Sequence, residues 1–251
     1  MKKGKGTHSD RILIIIPFWE GDKPQAIMMA KLLADLEPRH SDRADLLFVR
    51  RFDCKPLPEQ AIKYISRKFN IFQHRSARKE TGWPAGCNGI FAGALEYVYH
   101  MSEAGRIPRY KAYLNMASDV VPLVPDWIEY LHQQWKFLPA NLRHPVTSAG
   151  ALIPGEHEHI NGDIFLFSGD LDYLNWIKQA VGSVRVRAGW DWVLADKFRE
   201  QGWANIPGVI SLWGTKTMDL QTAQELRRKG TVMLHGVKDD SLLNHARKMM
   251  L

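Results

Sequence analysis

The sequence predicts an α/β fold in which one mostly parallel sheet is covered by helices on both faces. Strand-like and helix-like segments alternate through the first half of the chain, which is typical of parallel sheets. The length of 251 residues is within the range of one α/β domain. The composition, with 45% hydrophobic and 24% charged residues, is that of a folded globular protein.

The elements of the first half follow from short apolar runs and their end signals. Arg11 to Pro17 is an isoleucine-rich run typical of a buried strand. Pro24 suits the first turn of the helix that follows. Similar patterns predict strands at 44–52, 70–73 and 110–116, helices at 24–36, 58–69, 90–101 and 125–137, and a glycine-rich loop at 82–89.

The second half is more irregular, and residues 1–10 are expected to form a flexible basic tail. Apolar runs in this half predict strands at 146–152, 160–167, 209–213 and 231–234, and helices at 171–180, 190–201, 222–228 and 239–249.

Charge and motif content narrow the function. The chain has 34 Lys and Arg against 27 Asp and Glu, and the net charge of +7 favours a polyanionic partner or a phosphorylated ligand. The two cysteines are too few for a disulfide scaffold. Neither a signal peptide nor an apolar run of about 20 residues is present, so we expect a cytoplasmic protein without a membrane span. Motifs of P-loop, dinucleotide-binding, zinc-protease and serine-hydrolase proteins are missing.

Two segments carry the residue types of a cation and phosphate site. Asp119 follows the predicted central strand, at the end where parallel sheets bind ligands. Near the C terminus, His235, Gly236 and Lys238 stand close together. A hard cation takes oxygen ligands, and cations stabilise a departing diphosphate. The structural alternatives are that Asp119 caps a turn or helix and that His235 is an ordinary strand-end residue.

These residues resemble the donor site of GT-A-type glycosyltransferases, which carry Asp-x-Asp, or a looser variant, after a central strand. Here the first acidic position is Ala117. The resemblance implies that Asp119 and His235 hold a divalent cation, Mn²⁺ or Mg²⁺. It also implies that Gly236 and Lys238 face the diphosphate of a nucleoside-diphosphate sugar, the co-substrate.

The resemblance also implies donor contacts from two loops. Phe18 and Glu20, after the first strand, are expected to hold the nucleoside, for which a plain polar turn is the alternative. Arg78 and Asn88, beside the glycine-rich loop, are expected to contact phosphate and a sugar hydroxyl. A structural turn in which Asn88 is a local cap is the alternative there.

Two later segments are similar to the acceptor side of this family. Asn161 and Asp163 are expected to bind sugar hydroxyls, although Asn-Gly is also a turn signal. Trp190 is expected to stack on a sugar or base. Asp191 is the candidate base that activates the acceptor hydroxyl, with a helix cap as the alternative.

The resemblance implies a single GT-A-like domain, with a nucleotide-binding half at 11–122 and an acceptor half at 123–251. It implies sugar transfer from a nucleotide such as UDP. The acceptor could be a hydroxymethylated base in DNA, as in bacteriophage DNA modification in the host cytoplasm, because the positive charge suits phosphate contacts. A cell-envelope glycan is the alternative acceptor. A non-catalytic GT-A-fold binding module is the alternative function, since Ala117 replaces an acidic residue. A nucleotidyltransferase would carry a glycine-rich loop directly after the first strand.

Overall fold

The computed structural model describes residues 8–138, 148–155, 157–184 and 188–250. Its strands are β1 His8–Phe18, β2 Ala44–Arg50, β3 Ile71–Arg75, β4 Arg109–Met116, β5 Val120–Pro122, β6 Ser148–Ile153, β7 His159–Ser168, β8 Trp203–Asn205, β9 Val209–Thr215 and β10 Met233–Val237. Its helices are α1 Lys23–Leu36, α2 Glu59–Ile65, α3 Ala85–Glu103, α4 Trp127–Phe137, α5 Leu171–Gly182, α6 Trp190–Val193, α7 Ala195–Gln201, α8 Leu220–Arg228 and α9 Ser241–Met250. None of these helices has the length and apolar character needed to cross a membrane.

The predicted α/β fold with a mostly parallel sheet is confirmed. A seven-stranded sheet has the order β3-β2-β1-β4-β7-β6-β8. The pairs β3–β2, β2–β1, β1–β4 and β6–β8 are parallel, whereas β7 is antiparallel to both of its neighbours. A second sheet has the order β5-β10-β9. Because β7 runs against β4, the start of β7 lies beside the end of β4, where Met116 pairs with Ile164.

Helices cover both faces of the large sheet, which explains the continuous apolar run of β1. Ile12, Ile14 and Ile16 face a core that contains residues of α1, α4 and α9. Leu13 and Ile15 face the opposite core, which contains residues of α3 and α5. A strand buried on both faces has apolar residues at successive positions rather than at alternate ones.

Several predicted boundaries were wrong. Residues 8–10 begin β1 instead of belonging to the tail, and residues 1–7 lie outside the described residues. The helix predicted at 58–69 spans only α2, and the one predicted at 190–201 is divided into α6 and α7. The strands β5 and β8, of three residues each, were not predicted because such short segments carry no periodicity.

The predicted glycine-rich loop at 82–89 is largely the first part of α3, which begins at Ala85. The glycines there allow close packing. A Cβ on Gly89 would lie 3.1 Å from the Glu80 carboxylate, and a Cβ on Gly93 would lie 2.2 Å from Ser76 Oγ. The glycines therefore reflect the approach of the preceding segment to the helix rather than an irregular backbone.

A buried carboxylate ties three strands and the segment before β3 together. Asp45, on β2, is 2% exposed and forms an ion pair with Arg11 of β1. Its carboxylate also accepts hydrogen bonds from Tyr110 Oη of β4 at 2.7 Å and from Asn70 Nδ2 at 2.9 Å. A buried charge of this kind is tolerated because each of its oxygens has a partner.

Asp45→Ala is expected to lower the free energy of unfolding by about 3 kcal/mol, because it leaves the Arg11 charge without its carboxylate and the buried Tyr110 hydroxyl without its acceptor. Urea unfolding followed by circular dichroism measures the loss. Asp42→Ala is the matched control, because that side chain is 69% exposed and a surface change of this kind costs less than about 0.5 kcal/mol. Equal effects of the two substitutions would contradict the structural role of Asp45.

Candidate functional site

The candidate site lies where the end of β4, the start of β7 and strand β10 meet. Asp119 is in the turn between β4 and β5. Strand β10 is antiparallel to β5, and His235 pairs with Val120, the residue after Asp119. The backbone N–H of Ala117 donates to the carbonyl of Asp163, at 3.0 Å. Strand register alone therefore brings Asp119, Asp163 and His235 together.

His235 is completely buried, and its two ring nitrogens have different surroundings. Nδ1 lies 3.0 Å from Asn161 Nδ2 and 3.0 Å from Ser211 Oγ. Nε2 has no hydrogen-bond partner in the described structure, although it lies 3.1 Å from Asp163 Oδ2 and 3.5 Å from Asp119 Oδ1. A buried nitrogen without a partner is costly, so its direction toward two carboxylates is the most informative feature of the site.

The orientation of the Asn161 amide fixes how His235 is held. Asn161 Oδ1 accepts a hydrogen bond from the backbone N–H of Asp163, at 2.7 Å. The amide nitrogen must then point the other way, where it donates to Ser211 Oγ at 2.8 Å and faces His235 Nδ1. Asn161 was expected to bind a sugar, whereas in the structure its amide nitrogen contacts Ser211 and the imidazole and its amide oxygen accepts from the Asp163 N–H.

Lys238 supplies the positive charge next to Asp119. Its Nζ lies 2.6 Å from Asp119 Oδ2, and Asp119 is 8% exposed. The chain reaches this position through Gly236, which has a φ of 106°. A Cβ on Gly236 would lie 2.7 Å from the backbone of Leu212 and Trp213, so only glycine lets β10 pass β9 this closely.

Asp191 lies beside the same cluster. Its Oδ2 accepts a hydrogen bond from the backbone N–H of Gly162, at 2.9 Å. Burial raises the pKa of Asp191, and the negative charge of Asp163 adds to this, despite the Gly162 hydrogen bond. A carboxylate with a raised pKa holds a proton more readily, which is a property of general bases.

Negative charges dominate the electrostatics of the site. Loss of hydration, opposed by the hydrogen bond from the Trp19 N–H and helped by the charge of Asp119, raises the pKa of Asp22 to about 6. Loss of hydration also raises the pKa of Asp163, but the contact with His235 and the charges of His235 and Lys238 outweigh this and hold it below its usual value. Four carboxylates therefore lie near Lys238 and His235, with smaller effects of Arg51 on Asp22 and of His159 on Asp191.

No group of three or more His, Cys, Asp or Glu side chains forms a ready metal site in the parts of the chain that the structure describes. The donor set still fits a hard divalent cation. The buried Nε2 of His235 makes no well-aligned hydrogen bond in the described structure, and oxygens of Asp119 and Asp163 lie within 3.5 Å of it. The Lys238 ammonium group takes the second oxygen of Asp119, so it competes with any cation there.

Two aromatic residues of the predicted site are buried in the core, which does not favour the stacking roles predicted for them. The ring of Phe18 is 1% exposed and packs in the core on one face of the sheet. Trp190 is 5% exposed and stacks on Phe91, with ring centroids 4.4 Å apart. Neither ring can stack on a ligand without unpacking the core. Glu20 is exposed and accepts a hydrogen bond from the Lys55 N–H, at 3.0 Å.

Arg78 and Asn88 make protein contacts that their predicted roles did not include. Arg78 Nη2 lies 2.5 Å from the carboxylate of Glu96. Asn88 Nδ2 donates to the carbonyl of Ala188 at 3.0 Å, and its Oδ1 accepts from the Trp190 N–H at 3.1 Å. Both line a cavity of about 130 Å³ between α3 and α5. Asn88 thus fastens the start of α6 to α3, a contact between distant parts of the chain that neither the predicted sugar contact nor the alternative of a local cap includes.

Ser211 was missed from the sequence, and the contact of Asp163 with His235 was not expected. Ser211 was not considered, because a serine inside a strand carries no motif; only its contact with His235 Nδ1 identifies it. Asp163 was assigned to sugar hydroxyls, but its carboxylate lies against His235 Nε2. The signal that could have found this contact is the pairing of β4 with β7, which places Asp163 beside Ala117.

Comparison with known proteins gives a clear result for the fold. No protein-family model matches the sequence, and no curated protein matches it. The glycosyltransferase GlyE of Streptococcus pneumoniae is similar in structure, with a TM-score of 0.59, 11% identity and coverage of 96% of this chain and 61% of GlyE. The galactosyltransferase LgtC, solved with donor and acceptor sugar analogues, has a TM-score of 0.54 and 8% identity, with 95% of each chain covered. Mouse xyloside xylosyltransferase 1 has a TM-score of 0.51 and 10% identity, with 90% of this chain and 97% of that chain covered.

At these identities the comparisons show the fold and nothing finer. The α/β domain is GT-A-like, as its similarity to solved glycosyltransferases over nearly the whole chain shows. This chain spans about three fifths of GlyE, so part of that protein has no counterpart here.

Asn88→Ala is expected to lower the free energy of unfolding by about 1–3 kcal/mol, because it leaves the Ala188 carbonyl and the Trp190 N–H without partners. Chemical unfolding measures the change. Asn244→Ala, at an exposed position of α9, is the control and is expected to change stability by less than about 0.5 kcal/mol. Unchanged stability of the Asn88 variant, together with weaker sugar-nucleotide binding, would favour the predicted sugar contact instead.

Proposed function

We propose that this chain is a glycosyltransferase that moves a sugar from a nucleoside-diphosphate sugar to an acceptor hydroxyl, with a divalent cation at the diphosphate. One observation carries the proposal. In a GT-A-like fold, strand register brings Asp119, Asp163, His235 and Lys238 to the carboxyl end of β4, where α/β sheets bind ligands.

Asp119 and His235 would hold the cation, Mn²⁺ or Mg²⁺, and Asp163 is placed to assist them. When bound, such an ion neutralises the charge that develops on the departing diphosphate. Asn161 and Ser211 keep the imidazole in place by contacting Nδ1 and leave Nε2 directed at the carboxylates. Orienting contacts of this type are common around metal-binding histidines.

Lys238 is proposed to bind the diphosphate directly. In the described structure its ammonium group neutralises Asp119. A diphosphate carries more charge than one carboxylate, so a bound donor would draw the lysine away from Asp119 and leave that carboxylate oxygen to the cation. Donor and cation are then expected to bind cooperatively. The donor draws Lys238 away from the Asp119 oxygen that the cation needs, and the cation reduces the negative charge that the diphosphate meets.

Asp191 is proposed to accept the proton of the acceptor hydroxyl. Its raised pKa supports this role, and its carboxylate is fixed by the Gly162 N–H beside the cation residues. Glu20, exposed next to the end of β1, is proposed to contact the nucleoside. Arg78 reaches a donor phosphate only if it leaves Glu96, so this contact is proposed as secondary.

The proposal is tested by calorimetric titration of UDP, GDP, CDP and ADP, each with and without Mn²⁺. We expect one nucleotide to bind at least tenfold more tightly with Mn²⁺. Asp119→Asn is expected to abolish the effect of the metal, because it removes the charge that the cation needs, while the melting temperature changes little. Asp240→Asn, an exposed carboxylate, is the matched control and should keep the full effect.

The Lys238→Met variant distinguishes the role of the lysine from that of the metal ligands in the same titration. It is expected to weaken nucleotide binding and, in the absence of nucleotide, to strengthen Mn²⁺ binding because the competing charge is removed. Failure of every nucleotide to bind under all conditions would contradict the proposed function.

A non-catalytic binding module is the second candidate, favoured by Ala117 at the first acidic position and by Lys238 on Asp119. Slow hydrolysis of the sugar nucleotide without acceptor separates the two. An enzyme should release free sugar with a metal present, and a binding module should bind the nucleotide and release none.

A further inference from the structure

Four tryptophan side chains are exposed near the candidate site. Among the described residues, six large hydrophobic side chains are exposed. Tyr64 and Phe137 are the two that are not tryptophan. The tryptophans form a set that we term the tryptophan rim: Trp19 at 45%, Trp83 at 77%, Trp192 at 49% and Trp213 at 70% exposure. Single exposed apolar residues need no explanation, but several large ones around one site indicate a binding surface.

Trp83 is tied to the site through the first turn of α3. Trp83 lies in the turn that precedes α3, which is closed by a hydrogen bond from the Gly86 N–H to the Gly82 carbonyl. Cys87 follows four residues later, in the first turn of the helix. Cys87 is exposed, and loss of hydration at its thiol raises its pKa. The charges of Asp163 and Asp191 contribute to the same increase, so both carboxylates lie near the thiol.

The other three tryptophans are tied to the site through the backbone. The N–H of Trp19 donates to Asp22 Oδ1, at 2.7 Å, and the charge of Asp119 acts on Asp22. The backbone nitrogen of Trp213 lies 2.7 Å from where a Gly236 Cβ would be. Trp192 directly follows Asp191 in α6, and its backbone donates to that carboxylate.

Charge decides which class of partner fits the rim. The site inside it holds the carboxylates of Asp22, Asp119, Asp163 and Asp191, against Lys238, His235 and, beside Asp191, His159. Near Trp19, the Arg51 guanidinium lies 5.2 Å from the ring but is paired with Asp53, at 2.6 Å. A polyanionic strand would meet net repulsion here, whereas a neutral hydroxyl-rich ligand would not. Indole faces stack on flat rings, and carboxylates accept hydrogen bonds from hydroxyl groups.

We propose that the tryptophan rim binds a neutral oligosaccharide that presents the acceptor hydroxyl to Asp191. This inference rests on the proposed function, because it names the acceptor of that reaction. Stacking on Trp192 and Trp83 would orient the sugar next to the Asp191 carboxylate. Trp213 and Trp19 would contact further sugar rings on the donor side of the site.

The test uses the full-length protein, an immobilised panel of neutral oligosaccharides (glucans, mannans, galactans and chitin fragments) and DNA containing hydroxymethylcytosine. The Trp83→Ala, Trp192→Ala double variant is compared with Phe137→Ala. Phe137 is as exposed as Trp83, at 77%. The charge of its neighbour Lys136 acts on Asp10, at the start of β1. Phe137 therefore lies at the end of the sheet opposite the candidate site.

We expect at least one oligosaccharide to bind, with a loss of tenfold or more in the double variant and less than twofold in the Phe137 variant. Nucleotide affinity, measured in parallel, should fall less than saccharide affinity. The proposal is overturned if no oligosaccharide binds, if DNA is the ligand bound, or if the Phe137 variant loses as much. Absence of nucleotide binding in the unmodified protein would count against the proposed function alone, because saccharide binding is read separately.

Discussion

The arrangement of the site depends on one imidazole that is fully buried while a ring nitrogen faces two carboxylates. His235 is 0% exposed, and its Nδ1 side is closed by Asn161 and Ser211. Its Nε2 faces the carboxylates of Asp163, at 3.1 Å, and Asp119, at 3.5 Å. These carboxylates offset part of the cost of burying the ring, and a divalent cation would bind to the same atoms.

Lys238 explains how so many carboxylates are tolerated without a ligand. Its ammonium group lies on Asp119, and its charge also helps to hold the pKa of Asp163 below its usual value. The same position makes the lysine a competitor of any cation at Asp119. Ala117 occupies the first acidic position, so a cation has one carboxylate ligand fewer and competes less well with Lys238 for Asp119. A site built in this way should bind a cation weakly by itself and more strongly with a diphosphate.

Most of the fold could be predicted from the sequence, whereas the site could be predicted only in part. The buried strands and amphipathic helices follow local periodicity, so the parallel half was within reach. The approach of Asp119 to His235 was expected only from the resemblance to GT-A-type glycosyltransferases. Burial of Phe18 and Trp190 depends on which helices cover the sheet, and sequence spacing does not carry that information. The contact between Asp163 and His235 depends on the pairing of β4 with β7, which the predicted strand order did not specify. Glycines at the start of α3 indicated a loop because their close packing against Glu80 and Ser76 is a tertiary effect.

The measurement that tests the central claim most directly is a crystal structure with Mn²⁺ and the preferred nucleoside diphosphate, recorded at the manganese absorption edge. The account predicts one anomalous peak in contact with His235 Nε2 and the Asp119 carboxylate, with the Lys238 ammonium group moved from Asp119 to the diphosphate. A bound nucleotide with manganese elsewhere, or with His235 and Lys238 unchanged, would contradict the account.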